Sequence, residues 1–452
     1  MAPDVGNMTL VPGKEDISVR SSVRAWYALA VLIVAVIFGF IDRQIIVLVV
    51  EPIKRDLTLS DLQIGAINGL GPALFAVIAG YPLAWLADRV DRRWLLIACI
   101  LFWSAATAAR SFAGDFGELM IFTIGIAVGE AVLTPITYSL IPDLFRGKRR
   151  ELANLIFFGA VVTGVGIALM LGGAALATVE SVRPLLPEGL RQLAGWRIAF
   201  LLVALPGLLV ALAVIPVPAG RAPRPASAPQ SLVASKSLSR YLRAEWRTVG
   251  PIFAASGLYA FAFGALSLWL PAAIIRELGA SAQAVGVNYG LTFTIAAALG
   301  VICAIALAGF WRRAAGEAHI LRALWVMITA ALLPILALSL VATPTYAYLL
   351  TGVSVTLLIC GNAYSPTMLQ NLSPPLLRAR VGAVSMILYA AFGACGPMVI
   401  GFLSDGAGAG LMPIVATVSA AAFAGAALLF RLAEKPYVRT VRALAVSAPP
   451  GH

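Results

Sequence analysis

The chain has 452 residues, of which 60% are hydrophobic and only 12% are charged. A soluble domain is typically about 45–50% apolar and about 25% charged, so this composition excludes an ordinary soluble protein. The net charge of +12 resembles that of nucleic-acid-binding proteins, but the basic residues lie mainly in short segments between apolar stretches. That distribution indicates membrane topology, and we expect no nucleic-acid partner.

Apolar stretches of the length that a bilayer requires, about 20 residues, recur twelve times. The first six spans are expected at 25–50, 62–87, 94–112, 117–142, 151–178 and 197–217. Six more are expected at 249–275, 282–311, 318–342, 345–370, 380–404 and 410–432. The predicted fold is an all-α membrane protein with twelve transmembrane helices in two six-helix halves.

The predicted organisation has five parts along the chain. They are an N-terminal segment (1–24), a first half (25–217), a linker rich in Pro, Ala, Ser and Arg (218–248), a second half (249–433) and a tail (434–452). Arg150 and Arg380, 230 positions apart, lie in corresponding loops after spans four and ten. This weak repeat supports two related halves with a substrate site between them near the midplane.

The Lys and Arg residues predict the orientation. If the N-terminus is cytoplasmic, 25 of the 33 are assigned to cytoplasmic segments and Arg43 is the one left in mid-span. The other seven are assigned to outer segments: Lys54, Arg55, Arg110, Arg183, Arg191, Arg197 and Arg276. Under the positive-inside rule, this asymmetry predicts that the N-terminal segment, the linker and the tail are all cytoplasmic. We expect a multi-pass protein of the cell membrane, here the bacterial inner membrane.

Charged residues interrupt two of the apolar spans. Span one contains Asp42 and Arg43 side by side, and span four contains Glu130. A charge at the bilayer centre costs roughly 2.5–3.5 kcal/mol on insertion scales, so these side chains need a protein interior or a watery cavity. They form either a structural ion pair or a proton-coupling site, because burial favours the protonated acid and a nearby arginine opposes protonation. We predict the second role, with Arg43 moving relative to the two acids.

The loop after span two carries Asp88 at the end of its helix, followed by several arginines. That end of a helix dipole is negative, so Asp88 needs donors or basic groups from neighbouring segments. A generic basic loop does not require such an acid, and we therefore predict a conformational latch that clamps one state of a rocking carrier. Its expected members are Asp88, Arg89, Arg92, Arg93, Asp143, Arg149 and Arg150.

The second half has no Asp, Glu, Lys or Arg in mid-span, and its candidate cavity is aromatic and sparsely polar. Charge in one half and apolar volume in the other suit an amphiphile with a charged head and a long tail. Each aromatic residue taken singly is more often a core or lipid contact than a ligand contact. The predicted substrate-binding residues are Arg43, Thr134, Tyr138, Tyr259, Trp269, Phe293, Asn362, Tyr364, Met368 and Tyr389.

The segment 84–93, AWLADRVDRR, resembles the signature G-x-L-A-D-R-x-G-R-[KR] of the major facilitator superfamily, with Ala84 and Asp91 at the two Gly positions. The runs DRQ at 42–44, ADR at 87–89, VGEA at 128–131 and DLF at 143–145 are similar to the spinster branch. The resemblance covers most of 38–153. It implies the major facilitator fold, alternating access, and proton-linked transport of lysophospholipids or sphingoid-type lipids.

The chain departs from that branch in span four. Many relatives carry an Arg seven residues before the Glu, in an R-x-x-x-G-x-G-E pattern, whereas Thr123 stands at that position here and Ala127 replaces the first Gly. We therefore expect Arg43 to be the only cation in the middle of the membrane.

Two other transport functions stay open: a multidrug/proton antiporter, and an organic-anion carrier centred on Arg43. A membrane-embedded enzyme is disfavoured because no nucleophile with a base and no metal-binding motif is present. The four cysteines lie in apolar runs without paired spacing, so we expect buried side chains and neither a metal nor a cofactor. The expected partners are an amphiphilic substrate, protons and the membrane, and the protein is expected to be monomeric.

Overall fold

The computed structural model describes residues 14–87, 89–218, 231–374, 377–406, 408 and 410–446, and all regular elements in these ranges are helices. The first half contains α1 (Lys14–Leu48), α2 (Val50–Leu57), α3 (Asp61–Asn68), α4 (Leu70–Ala87), α5 (Arg92–Arg110), α6 (Phe116–Glu130), α7 (Leu133–Leu144), α8 (Gly147–Val182), α9 (Glu188–Arg191) and α10 (Gly195–Val214). The rest contains α11 (Ser231–Ala244), α12 (Trp246–Leu278), α13 (Ala282–Ala315), α14 (His319–Ala337), α15 (Pro344–Asn362), α16 (Ser365–Leu372), α17 (Arg378–Gly406) and α18 (Leu411–Val446).

The twelve predicted spans are all present as helices. Eleven stretches of the described chain are long and apolar enough to cross a membrane, and one of them, Ala282–Leu340, contains both α13 and α14. These two helices are separated at Gly316, whose φ of 53° is in the left-handed region that favours glycine. The prediction of an all-α protein with twelve spans is confirmed.

Two spans are interrupted at a polar residue that precedes a proline by four positions. Helix α3 ends at Asn68, four residues before Pro72, and α15 ends at Asn362, four residues before Pro366. A proline lacks the N–H that would bond the carbonyl four residues earlier, and its ring collides with that carbonyl. Each proline thus ends a helix inside the membrane at an asparagine.

Span four is interrupted in the same manner. Helix α6 ends at Glu130, and α7 begins at Leu133. Pro135 cannot donate to the carbonyl of Ala131, so the hydrogen-bond pattern of the helix is broken at this point. The break places the acidic side chain of Glu130 at a helix terminus in the interior of the protein, where it is 6% exposed.

Two helix pairs hold the halves together: α3 with α17, and α8 with α13. A Cβ on Gly65 would lie 2.4 Å from the carbonyl oxygen of Pro397, and one on Gly166 would lie 2.5 Å from that of Gly290. Both separations are too short for any residue with a side chain, so the close approach of these helices requires glycine. Both glycine contacts lie within their helices and not at the helix ends.

A set of charged residues, which we call the outer charge cluster, joins the halves at the end opposite the termini. Its members are Glu51, Lys54, Asp61, Arg276 and Asp405. Arg276 donates to Glu51 at 2.7 Å and to both carboxylate oxygens of Asp61 at 2.8 Å, and Lys54 also donates to Asp61. Asp405 accepts the backbone N–H groups of Asp61 and the next residue at 2.9 and 2.8 Å. One half therefore caps a helix of the other.

Candidate functional site

The charged residues of spans one and four meet in the interior. Arg43 Nε donates to Glu130 Oε2, forming an ion pair whose acid side chain is 3% exposed and whose arginine side chain is 52% exposed. The backbone at Gly39, one helical turn before Arg43, is so close that a Cβ there would lie 3.3 Å from Glu130 Oε1. Glycine at position 39 thus leaves room for this carboxylate beside α1.

Asp42 is differently placed, although it is the neighbour of Arg43. Its side chain forms no ion pair among the described residues, its Oδ1 atom has no hydrogen-bond partner there, and the residue is only 3% exposed. Arg110 and Arg43 lie near this carboxyl group without forming an ion pair with it. A buried carboxylate that lacks a bonded counter-charge is costly in the ionised form, and protonation removes much of that cost. The two acids therefore stand in distinct environments, one bound to arginine and one without an ion-pair partner.

The expectation that Arg43 is the only cation at this depth is wrong. Arg110, assigned from the sequence to an outer segment, is the last residue of α5 and is only 2% exposed. Its Nη1 donates to the backbone carbonyl of Asp42 at 3.2 Å. Its Nε and Nη2 donate to Thr123 Oγ1 at 3.2 and 3.0 Å. Arg110, from span three, thus contacts Thr123, which stands where many relatives carry arginine.

These residues line a cavity of about 320 Å³, which we call the polar cavity. Arg43, Arg110 and Thr123 come from spans one, three and four, and Asn68 comes from the interruption of span two. Helices α12 and α17 close its other side with small residues such as Ala390. Every charged residue that lines the cavity therefore belongs to the first half.

A second cavity of about 520 Å³, the apolar cavity, lies against the first, because Ala390 lines both. Five predicted substrate-binding residues line it: Tyr259, Phe293, Asn362, Met368 and Tyr389. The ring of Phe263, which also lines it, stacks with Tyr259 at 6.1 Å and meets Phe293 edge-on at 6.3 Å. The result is a mainly hydrophobic chamber, formed largely by the second half, with few polar groups.

Arg43 lines the polar cavity, and the remaining four predicted substrate-binding residues line neither cavity: Thr134, Tyr138, Trp269 and Tyr364. Trp269 is fully buried and donates to the Pro397 carbonyl at 2.8 Å, because its indole N–H needs an acceptor between α12 and α17. Tyr364 donates to the Ala304 carbonyl at 2.5 Å. Thr134 and Tyr138 lie on exposed surface of α7.

The predicted latch is described in part, since Asp88 lies outside the described residues. Arg92 is 7% exposed and donates to Asp143 at 2.9 Å, tying the start of α5 to the end of α7. Arg93 donates to the Ile215 carbonyl at 3.3 Å. Arg89 stacks over a tryptophan ring at 3.5 Å, and Arg150 is exposed. The bonds of Arg92 and Arg93 stay within the first half.

We expect Asp143→Asn to slow transport, because it removes the charge that Arg92 binds. An ion pair with one buried partner contributes about 1 kcal/mol, so the initial rate should fall roughly fivefold. Uptake into proteoliposomes measures this, with Glu180→Gln as the control, since Glu180 is exposed at the outer end of α8. An Asp143→Asn rate equal to that of the wild type would contradict a latch role for this pair.

The comparisons with known proteins agree with this architecture. The family model of the Major Facilitator Superfamily matches residues 32–390. The chain is 30% identical over 384 residues to an MFS-type efflux pump of Mycolicibacterium smegmatis, covering 84% of this chain and 85% of that protein. It is 26% identical over 397 residues to the sphingosine-1-phosphate transporter SPNS2 of Mus musculus, covering 83% of this chain and 69% of that protein.

The same fold is present in a crystal structure of a bacterial homolog of the human lysosomal transporter spinster, in an inward-facing and unoccupied conformation. The two structures agree with a TM-score of 0.74 at 23% identity, over 95% of this chain and 99% of the other. The family match spans most of the chain, and the helices and their packing are those of a multi-pass transporter. The chain belongs to the major facilitator superfamily and is a transporter related to the spinster proteins.

Proposed function

We propose that the protein is a proton-coupled secondary transporter of a lysophospholipid or sphingoid-type amphiphile that works by alternating access. The observation that carries this proposal is the contact between the polar cavity and the apolar cavity at Ala390. Their volumes, about 320 and 520 Å³, lie in the range of small-molecule sites. Together they suit a charged head group joined to a hydrocarbon chain.

Proton coupling in this proposal uses the contrast between the two acids. Glu130 keeps its charge through Arg43, whereas Asp42 has no ion-pair partner among the described residues and carries the transported proton. With Asp42 protonated, the four charged groups of the site (Asp42, Arg43, Arg110 and Glu130) sum to one positive charge. An anionic head group then binds more strongly, which links proton binding to substrate binding.

The outer charge cluster and the two glycine contacts support the alternating-access part. The glycine contacts hold the halves together along their helices, and the cluster holds them at the outer end, where Arg276 bonds Glu51 and Asp61 across the interface. A carrier closed at this end exchanges substrate with the cytoplasmic side, and rocking of one half against the other opens the outer end. We place both termini in the cytoplasm, propose the bacterial inner membrane as location, and propose that the carrier is a monomer. The cycle has no enzymatic step.

Efflux of amphiphilic drugs is the second candidate, because one relative is an MFS-type efflux pump. A pump for hydrophobic cations needs an acid that can meet the cation, and the candidate is Asp42, whose Oδ1 has no hydrogen-bond partner among the described residues although the side chain is buried. Against a cationic substrate, Arg43 and Arg110 both line the polar cavity and repel positive charge. This repulsion favours an anionic or zwitterionic amphiphile over a lipophilic cation.

Uptake of labelled compounds into proteoliposomes, with and without a pH gradient, tests the proposal. We expect a lysophospholipid or a sphingoid phosphate to accumulate only when a gradient is imposed. Gradient-driven movement of a lipophilic cation, with neither lipid transported, would identify a drug antiporter instead. Equal movement of all compounds with and without the gradient would argue against coupled transport.

A further inference from the structure

Arg110 is a buried cation beside the acids of the proposed proton cycle. It is only 2% exposed and lines the polar cavity, yet it forms no ion pair with any described residue. Its hydrogen bonds all go to neutral oxygens, the backbone carbonyl of Asp42 and the hydroxyl of Thr123. A guanidinium is always charged, and a charge inside a membrane protein needs a compensating anion. Asp42 and Glu130 lie close enough to act on this charge, but neither carboxylate bonds Arg110, so protonation of Asp42 leaves the guanidinium short of negative charge.

The hydrogen bonds leave part of the guanidinium unused. Three of its five N–H groups donate in the structure, which leaves one N–H on each terminal nitrogen. Thr123 Oγ1 accepts two of these bonds and donates its own proton to the Leu119 carbonyl at 2.7 Å, so the hydroxyl is fully used. Thr123 therefore holds the guanidinium in place but cannot neutralise it. Two parallel N–H groups of one guanidinium match the oxygens of a phosphate or carboxylate.

The two arginines of the cavity are not equivalent. Arg43 is already bonded to Glu130, so its charge is largely compensated before any ligand enters. Arg110 lies near Asp42 but contacts its backbone rather than its carboxylate. With Asp42 protonated, a head group entering the polar cavity therefore meets one cation that is bonded to an acid and one cation that is not. The sequence-based assignment of head-group binding to Arg43 overlooks this second cation.

We propose that Arg110, held by Thr123, is the anchor for the anionic head group of the substrate, and that it makes the carrier select amphiphiles with a phosphate-type or carboxylate-type head. This inference rests on the proposed function and deepens it by naming the residue that recognises the head group. The apolar cavity then receives the hydrocarbon chain regardless of the head group. Asp42 remains available for the proton cycle, and Arg43 remains paired with Glu130.

A purely structural role for Arg110 makes a different prediction. Its bonds connect α5 with α1 and α6, and the ring of Phe200 lies 5.2 Å from its guanidinium carbon. If the residue served only to join these helices, its loss would weaken the binding of all amphiphiles equally. If it anchors the anion, its loss weakens the binding of anions alone. The charge dependence of binding separates the two roles.

The test uses the purified full-length protein in a non-ionic detergent and three ligands of equal chain length: dodecyl phosphate, dodecylphosphocholine and dodecyltrimethylammonium. Calorimetric titration gives the affinity of each. We expect the wild type to bind dodecyl phosphate best. Arg110→Gln should bind it roughly 10- to 100-fold more weakly, because a charge-assisted contact is lost, with the affinity for the cation unchanged or higher.

Arg197→Gln is the matched control, since Arg197 lies at the outer end of α10, bonds Asp56, and lines neither cavity. It should keep the wild-type preference for the anion. Arg110→Lys keeps the charge but not the paired N–H groups, so it should lose part of that preference. A thermal unfolding assay shows whether Arg110→Gln is folded. If it is not, Arg110→Lys becomes the decisive variant.

The inference is overturned if Arg110→Gln, or in its place Arg110→Lys, binds dodecyl phosphate as the wild type does. It is also overturned if all three affinities fall by the same factor, or if the wild type does not prefer the anion. Binding is measured without transport, so a failure of proton coupling leaves this result intact. Conversely, gradient-driven lipid transport with no anion preference would retain the proposed function and remove the anchor.

Discussion

Replacing Asp42 by asparagine is expected to abolish substrate accumulation driven by a pH gradient while leaving downhill exchange in place. Asparagine has nearly the same shape but cannot take up or release a proton. In the proposed cycle the proton resides on Asp42, because this buried acid has no ion-pair partner in the described structure. Each pH unit supplies about 1.4 kcal/mol per proton, equivalent to roughly tenfold accumulation, and the variant should lose this driving force.

Glu130→Gln should give a different result, since this acid is the counter-charge of Arg43. Its loss leaves Arg43 and Arg110 in the polar cavity without a bonded acid, so we expect an anionic substrate to bind more tightly and to be released more slowly. Turnover should therefore fall both with and without a gradient. The two substitutions thus separate the proton carrier from the residue that holds Arg43.

Counterflow exchange and gradient-driven uptake, measured on the same proteoliposomes, distinguish these outcomes. Glu188→Gln is the control for the loss of a carboxylate, because Glu188 is exposed in the short helix α9, outside both cavities. Wild-type accumulation by Asp42→Asn would remove Asp42 from the coupling mechanism. If only Glu130→Gln lost the response to the gradient, Glu130 and not Asp42 would be the carrier of the transported proton.

Replacing Arg276 by alanine is expected to shift the carrier strongly toward the state that is open at the outer end. Arg276 is the only cation that the second half contributes to the outer charge cluster, and it forms a two-fold contact with Asp61 as well as one with Glu51. The Asp61 side chain is 4% exposed and that of Arg276 is 24% exposed, so solvent screens this contact only partly.

Hydrogen bonds to charged groups contribute about 1.5–3 kcal/mol each, and these bonds must break when the outer end opens. A net loss of roughly 2–4 kcal/mol from the closed state would change the equilibrium between the two states on the order of 30- to 1000-fold. Arg276→Lys keeps the charge but only part of the geometry, so its shift should be intermediate.

Labelling of a single cysteine measures this shift. Asn68→Cys, in a protein whose four native cysteines are replaced, places a thiol in the polar cavity. A thiol reagent that cannot cross the membrane should label it from outside faster in the Arg276→Ala variant. Arg183→Ala is the control, since Arg183 pairs with Glu180 within the first half. Unchanged labelling from outside would show that the cluster does not hold the outer end closed.

Much of the fold follows from composition along the chain. Twelve apolar stretches predict twelve spans because the bilayer requires a minimum length and internally bonded backbone. The sequence also predicts that Asp42, Arg43 and Glu130 lie close together, since separate charges in a membrane are costly. In the structure, Arg43 bonds Glu130. The position of Arg110 was not predicted. It lies at the end of an apolar stretch, and whether such a residue faces solvent or the interior depends on how its helix packs.

The sequence by itself determined the class of protein, the number of spans and three of the charged residues that lie in mid-span, because these depend on hydropathy and on the cost of charge in lipid. The tertiary structure decided the rest. It brought Arg110 to Asp42 and Thr123, and it brought Arg276 to Asp61 across 215 positions of the chain. Contacts between distant residues depend on helix depth, rotation and the packing of glycine against backbone, and apolar periodicity alone contains none of these. For this reason the second cation of the polar cavity follows from the packing of span three against spans one and four, and not from the sequence of span three alone.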